Sequence, residues 1–462
     1  MENSRKKIFN IKQKGSTILT EIISGLVVFF AMSYILPVNS TILGGIENAS
    51  YEAIFVATAL CSGICCIFMG IFANYPVVLS AGMGMNAYLA YTVCGIMGYS
   101  FAEGLLLIFI AGILFFIFTL TPFREKIISA IPYSIKLAVS AGLGAFVCFV
   151  GLKNGGIIQA STGTFVTLGN LKSPTVLLAL FGIILVLILM QVKGIIGKLA
   201  IVISMFVTAL LGFILHCIGI EGMPHFTFSN VNDNLMIFKD NLFLCFKEKD
   251  VFKNVFSNPQ SYIIIFSLIL VHLFDTTATL IAVGKKVGII GLDGKLIGGK
   301  KAMLADAVGA VICAPLGTST VSSFAESSIG VENGARTGLS SCVTGILFLL
   351  SIFIYPIFSI FSGVQIGMQN FTPVTSLALV SVGCLMFSNL KDIDWEDKII
   401  VITSFLIIIF MLLTYSLSDG IGLGLIIYCL MMLSSKRYKE VPCSVYAISL
   451  IFVIYYVLKI FI

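Results

Sequence analysis

Pro76-Val-Val-Leu-Ser-Ala-Gly-Met-Gly-Met-Asn86 and Pro315-Leu-Gly-Thr-Ser-Thr-Val-Ser-Ser-Phe-Ala-Glu326 are the two stretches that decide the fold. Each begins at a proline, runs through small or hydroxyl residues, ends on a polar side chain, and passes into apolar helix-forming sequence. Extended backbone at membrane depth leaves N–H and C=O groups unpaired, which is tolerable only where protein or a water-filled cavity covers them. The helix that starts after each piece has free N–H groups and a partial positive end, which suits an acceptor atom of a ligand. A single such interruption fits tight packing through small residues equally well. Two at matching positions of two halves point to the binding site of a transporter.

The surrounding chain demands a membrane. Of 462 residues, 58% are hydrophobic and 11% charged, with a mean hydropathy of +1.07. Soluble domains carry about 25% charged residues, so a soluble fold of this composition would have no polar surface. In a bilayer only helices or closed barrels satisfy their backbone groups. Unbroken apolar runs such as Ile184 to Met190 and Ile402 to Leu413 lack the alternation of a barrel. The 12 cysteines lie singly, apart from Cys65-Cys66, and read as small buried thiols rather than disulfides or metal sites. A net charge of +6 speaks to topology, not to a nucleic-acid partner. The polar, basic start from Met1 to Lys14 is unlike a cleavable signal peptide.

Candidate spans lie near 18–37, 52–74, 86–98, 101–121, 134–151, 174–191 and 197–218. After a polar stretch from Glu221 to Gln260 they resume near 260–284, 302–315, 326–335, 338–360, 372–389, 398–415 and 418–434. Seven plus seven predicts an all-α polytopic membrane protein of fourteen transmembrane segments in two inverted repeats, a common build for secondary transporters. The positive-inside bias agrees. Arg5, Lys6, Lys7, Lys12 and Lys14 place the N-terminus in the cytoplasm. Arg124 and Lys126, then Lys285, Lys286, Lys295, Lys300 and Lys301, then Lys436, Arg437 and Lys439 fall on the same side. The apolar stretch from 442 onward is either a further span or an interfacial helix.

Two carboxylates stand at membrane depth. Asp275 is near the middle of the span 260–284, and Glu326 sits where the second interrupted stretch meets its helix. An intramembrane carboxylate is costly and marks function by default. No Lys or Arg lies in the neighbouring apolar spans to pair with either. Carboxylate oxygens accept from ring N–H and exocyclic amine donors, and the same groups can hold and release a transported proton. His272, three residues before Asp275, is a candidate proton relay or a packed residue. Thr276, Thr277 and Thr279 could bond back to their own helix. Asn39 marks a helix break or a loop, and Asn86 a ligand contact or a helix cap. Asp306 reads as structural, near the interface beside Lys300-Lys301, and Glu332 and Arg336 as a local pair. No Walker A pattern, nucleophile motif or zinc cluster is present, so neither an enzyme nor a cofactor is expected.

The run Ala81-Gly-Met-Gly-Met-Asn-Ala-Tyr-Leu-Ala-Tyr-Thr-Val93 resembles the third-segment signature of the nucleobase:cation symporter-2 superfamily, closest to its adenine/guanine/hypoxanthine permease branch. Phe274-Asp-Thr-Thr-Ala-Thr-Leu280 resembles the eighth-segment motif, and Gly317-Thr-Ser-Thr-Val-Ser-Ser-Phe-Ala-Glu-Ser-Ser328 the tenth. Glu21-Ile-Ile-Ser-Gly, Ser33-Tyr-Ile-Leu, Gly151-Leu-Lys-Asn154 and Leu413-Thr-Tyr-Ser-Leu-Ser-Asp-Gly420 fit as well. The resemblance implies short strands in segments 3 and 10 that meet at midplane. It implies a core domain of segments 1–4 (18–121) and 8–11 (260–360), and a gate domain of segments 5–7 (134–218) and 12–14 (372–434). The pieces 1–17, 219–259 and 435–462 would be the N-terminal tail, the polar connection and the C-terminal tail. By the same resemblance Asp275, Glu326 and Asn86 bind a purine, with Thr276, Ser327 and Ser328 nearby. Glu326, Asp275 and His272 would handle a coupling proton. Ala278 departs from the Gly expected in the eighth-segment motif. The expected activity is proton-coupled purine import through alternating access, in the plasma membrane, by a chain that pairs with a second copy. A uracil or xanthine permease and an anion transporter of the same architecture are the alternatives.

Overall fold

The structure, a computed structural model, describes residues 9–121, 131–161, 163–226, 231–287, 299–366 and 369–461. Arg5, Lys6, Lys7, Arg124, Lys126 and Lys295, and the side chains of Thr277, Ala278, Lys285 and Lys286, lie outside the described residues.

Among the described residues, eight helices are long and apolar enough to cross a membrane: Ile18–Leu43, Tyr51–Ala73, Phe101–Leu120, Tyr133–Asn154, Ala200–Cys217, Gly338–Phe361, Pro373–Asp392 and Leu417–Ser434. A ninth arises if Val251–Ser257 and Pro259–Leu273, bent by 89°, count as one span. Pro174–Leu189, Lys398–Thr414 and Cys443–Val457 are shorter apolar helices. Helix starts follow local chemistry. The hydroxyls of Thr17 and Ser50 accept from the backbone N–H groups of Thr20 and Ala53. Ser100 and Glu103 form a reciprocal capping box, Asp397 and Ser416 cap their helices, and Pro174 and Pro373 open theirs. The first span breaks at Ser33-Tyr34, so Asn39 lies within the helix Ile35–Leu43 and not in a loop.

The polar stretch between the two halves is structured. It carries the helices Val231–Asn241, Leu244–Lys247 and Val251–Ser257. It docks on the bundle through Phe243 N–H, which donates to the Pro315 carbonyl at 2.7 Å, and Asn254 Nδ2, which donates to Glu103 Oε1 at 2.7 Å.

Helices approach closely where glycines face each other. A Cβ on Gly70 would lie 2.3 Å from the Gly338 carbonyl oxygen, and one on Gly338 2.1 Å from that of Gly70. Lipid tails give no hydrophobic drive between helices, so close backbone packing of this kind holds a bundle together. Tyr51–Phe68 and Ile18–Met32 pack on Gly338–Ser351, and Phe101–Leu120 on Gly299–Ile312. Tyr133–Asn154 packs on Pro373–Phe387 and Lys398–Thr414, and Pro174–Leu189 on Pro373–Phe387 and Ala200–Cys217.

The two interrupted stretches meet. Leu79–Ala81 pairs antiparallel with Val321–Ser323, in the register Leu79 with Ser323, Ser80 with Ser322 and Ala81 with Val321. Gly82 N–H donates to the Thr320 carbonyl at 2.9 Å and Phe324 N–H to the Val78 carbonyl at 3.1 Å, extending the ladder at both ends. All six strand residues are buried. Side chains meet other backbone groups of the first interrupted stretch and the turn before it. Cys66 Sγ donates to the Leu79 carbonyl and accepts from Leu79 N–H. Ser341 Oγ lies 2.9 Å from both the Tyr75 and Val77 carbonyls. Two further hairpins, Ile158–Ser161 with Phe165–Leu168 and Val364–Ile366 with Gln369–Phe371, lie away from this crossing in sequence.

Candidate functional site

Chain order gives the strand crossing its chemistry. The strand Leu79–Ala81 passes at Gly82 into the helix Met83–Ala87, whose turns widen to π type over Tyr88–Ile96. The strand Val321–Ser323 passes through Phe324, Ala325 and Glu326 into the helix Ser327–Glu332. The long helix Pro259–Val287 packs against the second strand and brings Asp275 to it.

Asp275 and Glu326 converge here. Ser322, in the middle of the second strand, lies beside the Asp275 carboxylate, and Glu326, His272 and Asp306 lie within electrostatic reach of it. Glu326 Oε1 accepts from the Tyr34 hydroxyl at 2.6 Å. Tyr34 is buried beside the break in the first span. Among the described residues, the ion pairs are Lys198–Glu332, His272–Asp306, and Arg437 with Asp397 and Glu440. None engages Asp275 or Glu326, so both carboxylates keep acceptor capacity for a ligand. Glu326 also lines a cleft of about 380 Å³, walled by Ala31 and Ile329 on one side and by Met190, Lys198, Ile201 and Leu385 on the other.

Asp306 is fully buried in the bundle, unlike the exposed Lys300-Lys301 beside which the sequence set it. Its Oδ2 lies 3.0 Å from His272 Nε2 and accepts from the Thr276 hydroxyl at 2.9 Å. Thr276 therefore bonds across to another helix and not back to its own. One helical turn thus carries His272 and Thr276 toward Asp306 while Asp275 turns to the strand. The sequence hid this because the helix Gly299–Ile312 begins with lysines yet reaches the bundle interior within two turns.

Asn86 lies inside its helix and is fully buried. Its Nδ2 donates to Asn39 Oδ1, and its Oδ1 accepts from the Ser319 hydroxyl. Asn39 in turn donates to Thr58 at 2.7 Å and Thr318 at 3.0 Å. This network ties the first, second, third and tenth expected segments together. Ser327 Oγ accepts from Val78 N–H at 2.9 Å, which fastens the start of one helix to the other interrupted stretch. Ser328 is half-buried beside it. Ser323, on the second strand, is buried with a hydroxyl that finds no partner among the described residues. Tyr34, Ser322 and Ser323 are the site residues that sequence reasoning missed as individuals. Their only signal was a hydroxyl in an otherwise apolar or interrupted stretch. Glu332 pairs with Lys198 at 3.3 Å, and the Arg336 guanidinium donates to the Val331 and Ala335 carbonyls.

Comparison with known proteins places this geometry. The family model Xan_ur_permease, described as a permease family, matches residues 19–423. The guanine/hypoxanthine permease PbuG of Bacillus subtilis is 39% identical, over 98% of this chain and 99% of its own length. A putative permease of Methanocaldococcus jannaschii is 38% identical over 98% of each chain. The adenine permease AdeQ of Escherichia coli is 34% identical over 96% of this chain and 94% of its own. Among solved structures, the transmembrane domain of the cyanobacterial bicarbonate transporter BicA is 14% identical, with a TM-score of 0.58 over 88% of this chain and 97% of that one. The murine anion transporter Slc26a9 is 11% identical, with a TM-score of 0.56 over 91% and 69%. At these identities the structural likeness speaks to fold alone. A multi-pass helical bundle of this fold, matched by that model over most of its length and by permeases end to end, belongs to the nucleobase:cation symporter-2 permease family.

Proposed function

We propose that this permease imports a purine nucleobase (adenine, guanine or hypoxanthine) together with a proton, by alternating access. The observation that carries the reading is the convergence of Asp275 and Glu326, both free of ion pairs among the described residues, on the crossing of two buried strands. Full-length relatives named as guanine/hypoxanthine and adenine permeases supply the substrate class.

In this reading the base lies against the strand crossing. Asp275 and Glu326 accept its N–H and amine donors, and the hydroxyls of Ser323 and Ser328 supply neutral partners. Asn86, Ser327 and Thr276 hold the walls. Either carboxyl is chemically suited to carry the coupling proton, with His272 and Asp306 as the adjoining pair. Fourteen segments in two inverted repeats would form a core of segments 1–4 and 8–11, which carries the strands, and a gate of segments 5–7 and 12–14. Core and gate would move against each other around the site. The protein would reside in the plasma membrane with its N-terminus in the cytoplasm.

The test is uptake of labelled hypoxanthine, adenine, guanine, xanthine and uracil into cells lacking their own nucleobase permeases. Each is run with and without a protonophore, beside Asp275→Asn at equal expression. Saturable purine uptake that collapses in both controls is the expected result. Uptake of xanthine or uracil in place of these purines would overturn the substrate assignment, and uptake indifferent to the protonophore would overturn the proton coupling.

A further inference from the structure

The two helix sets that flank the strand crossing meet through different chemistry at the two ends of the bundle. At the end that carries the N-terminus, where Ser16 donates to the Gly334 carbonyl at 3.1 Å, the cleft that Glu326 lines lies between them, and Lys198 spans it to Glu332 Oε2 and Asn333 Oδ1, each at 3.3 Å. At the opposite end they are fastened by polar and aromatic contacts stacked over two turns of the widened helix Tyr88–Ile96.

The deeper layer is the Tyr88 hydroxyl against Ser418 Oγ at 2.6 Å, both groups buried. One turn further out, Asn154 Nδ2 donates to the Tyr91 hydroxyl at 2.6 Å, and the Thr92 hydroxyl donates to the Tyr415 carbonyl. Lys153 completes this layer. Its ammonium stands 5.1 Å from the Tyr91 ring centroid and 5.3 Å from that of Tyr415, so one cation bridges two aromatic faces. Tyr415 has a left-handed backbone, with φ of 55°, at the end of the helix Lys398–Thr414. That is a strained conformation for an aromatic residue, and it sets the ring over Lys153.

These contacts are individually modest. A cation over an aromatic face is worth little at an exposed site and more when partly desolvated, and a net hydrogen bond is of similar size. Such strengths suit a closure that has to form and break within every cycle, since an equilibrium pulled far to one side would halt it. The contacts also join the helix that follows the first strand to helices that carry none of the site carboxylates.

We propose that Tyr91, Lys153, Asn154 and Tyr415 form a gate, a cation–aromatic clasp that seals one face of the transport path and opens when the opposite face closes. The inference extends the alternating-access reading above, but its test needs no substrate. Ser418→Cys is placed behind the clasp, and its labelling by a membrane-impermeant maleimide is measured in right-side-out and inside-out vesicles. The same protein without the added cysteine provides the background. With the clasp intact, labelling from the clasp side is slow. Lys153→Met and Asn154→Ala each raise it by about tenfold on that side alone, whereas Lys153→Arg, which keeps the cation over both rings, stays near the starting rate. Unchanged labelling in both Lys153→Met and Asn154→Ala would overturn the gate. So would an equal rise from both sides, which marks a loosened bundle. Failure of purine uptake would sink the substrate assignment and leave this readout standing.

Discussion

The Tyr34 hydroxyl reaches across from the first span to donate to Glu326 Oε1 at 2.6 Å, and so fixes one oxygen of the carboxylate that lines the cleft. The residues are 292 positions apart. With one oxygen held, the other is aimed. Tyr34→Phe keeps the ring and removes the donor, so the carboxyl group stays in place and loses its orientation. The expected result is a rise in KM for purine uptake of about 5- to 15-fold, the worth of one hydrogen bond to a charged group, with normal amounts of folded protein. A wild-type KM would show that Glu326 needs no such support.

Asp275 and Glu326 are expected to differ from their neighbours in binding. Asp275→Asn and Glu326→Gln each replace an acceptor-only oxygen pair by an amide that presents a donor to the base. Equilibrium binding of labelled hypoxanthine to purified protein should weaken by at least about 10-fold in each, in line with a charge-assisted hydrogen bond. Wild-type affinity in both variants would remove these residues from the site.

Asn86 should behave as a structural residue. Its amide is engaged on both sides, by Asn39 and Ser319. Asn86→Ala strands both partners in a buried setting, at a cost of about 1–3 kcal/mol for each unsatisfied group. The melting temperature in detergent should fall clearly, while purine affinity of the surviving folded fraction should hold. The opposite pattern, normal melting with lost affinity, would assign Asn86 to direct contact with the base.

The Gly70–Gly338 contact predicts intolerance of even one methyl group. A Cβ on Gly70 meets backbone that has no rotamer to give way. Gly70→Ala should cost about 1–3 kcal/mol, as overpacking does, and a melting curve will read it. Gly163 is the control, because nothing lies within 4 Å of a Cβ placed there. Gly163→Ala should melt like the parent.

A pH effect is expected outside the membrane. Arg437 donates to Asp397 Oδ2 at 2.7 Å and to Glu440 Oε2 at 2.8 Å. The guanidinium holds both carboxyls below their ordinary range. A group whose pKa is lowered on folding adds stability above its unfolded value, and loses it as pH falls through the folded one. Arg437→Gln should therefore melt slightly below wild type at pH 7. The gap should close as pH drops below about 4. The effect is small because the pair is partly exposed. A gap that persists in acid would mean that Arg437 acts through packing alone.

The amino-acid sequence by itself determined the solvent, and with it the class of fold. So apolar a chain favours helix throughout, and the prolines, glycines and serines of 76–86 and 315–326 stand out as interruptions. That is why nearly every expected span holds a helix, and why the two strands lie where the interruptions are. Asp275 and Glu326 were legible for the same reason, since the cost of a carboxylate among apolar residues is readable one residue at a time. Pairing was not. That Tyr34 holds Glu326, that Asp306 leaves the lysines behind to meet His272 and Thr276, and that Asn86 spends its amide on Asn39 and Ser319 depend on how distant helices are rotated and set in depth. Hydropathy is blind to rotation when a span is apolar on every face, and only packing of the whole bundle settles which polar atoms meet.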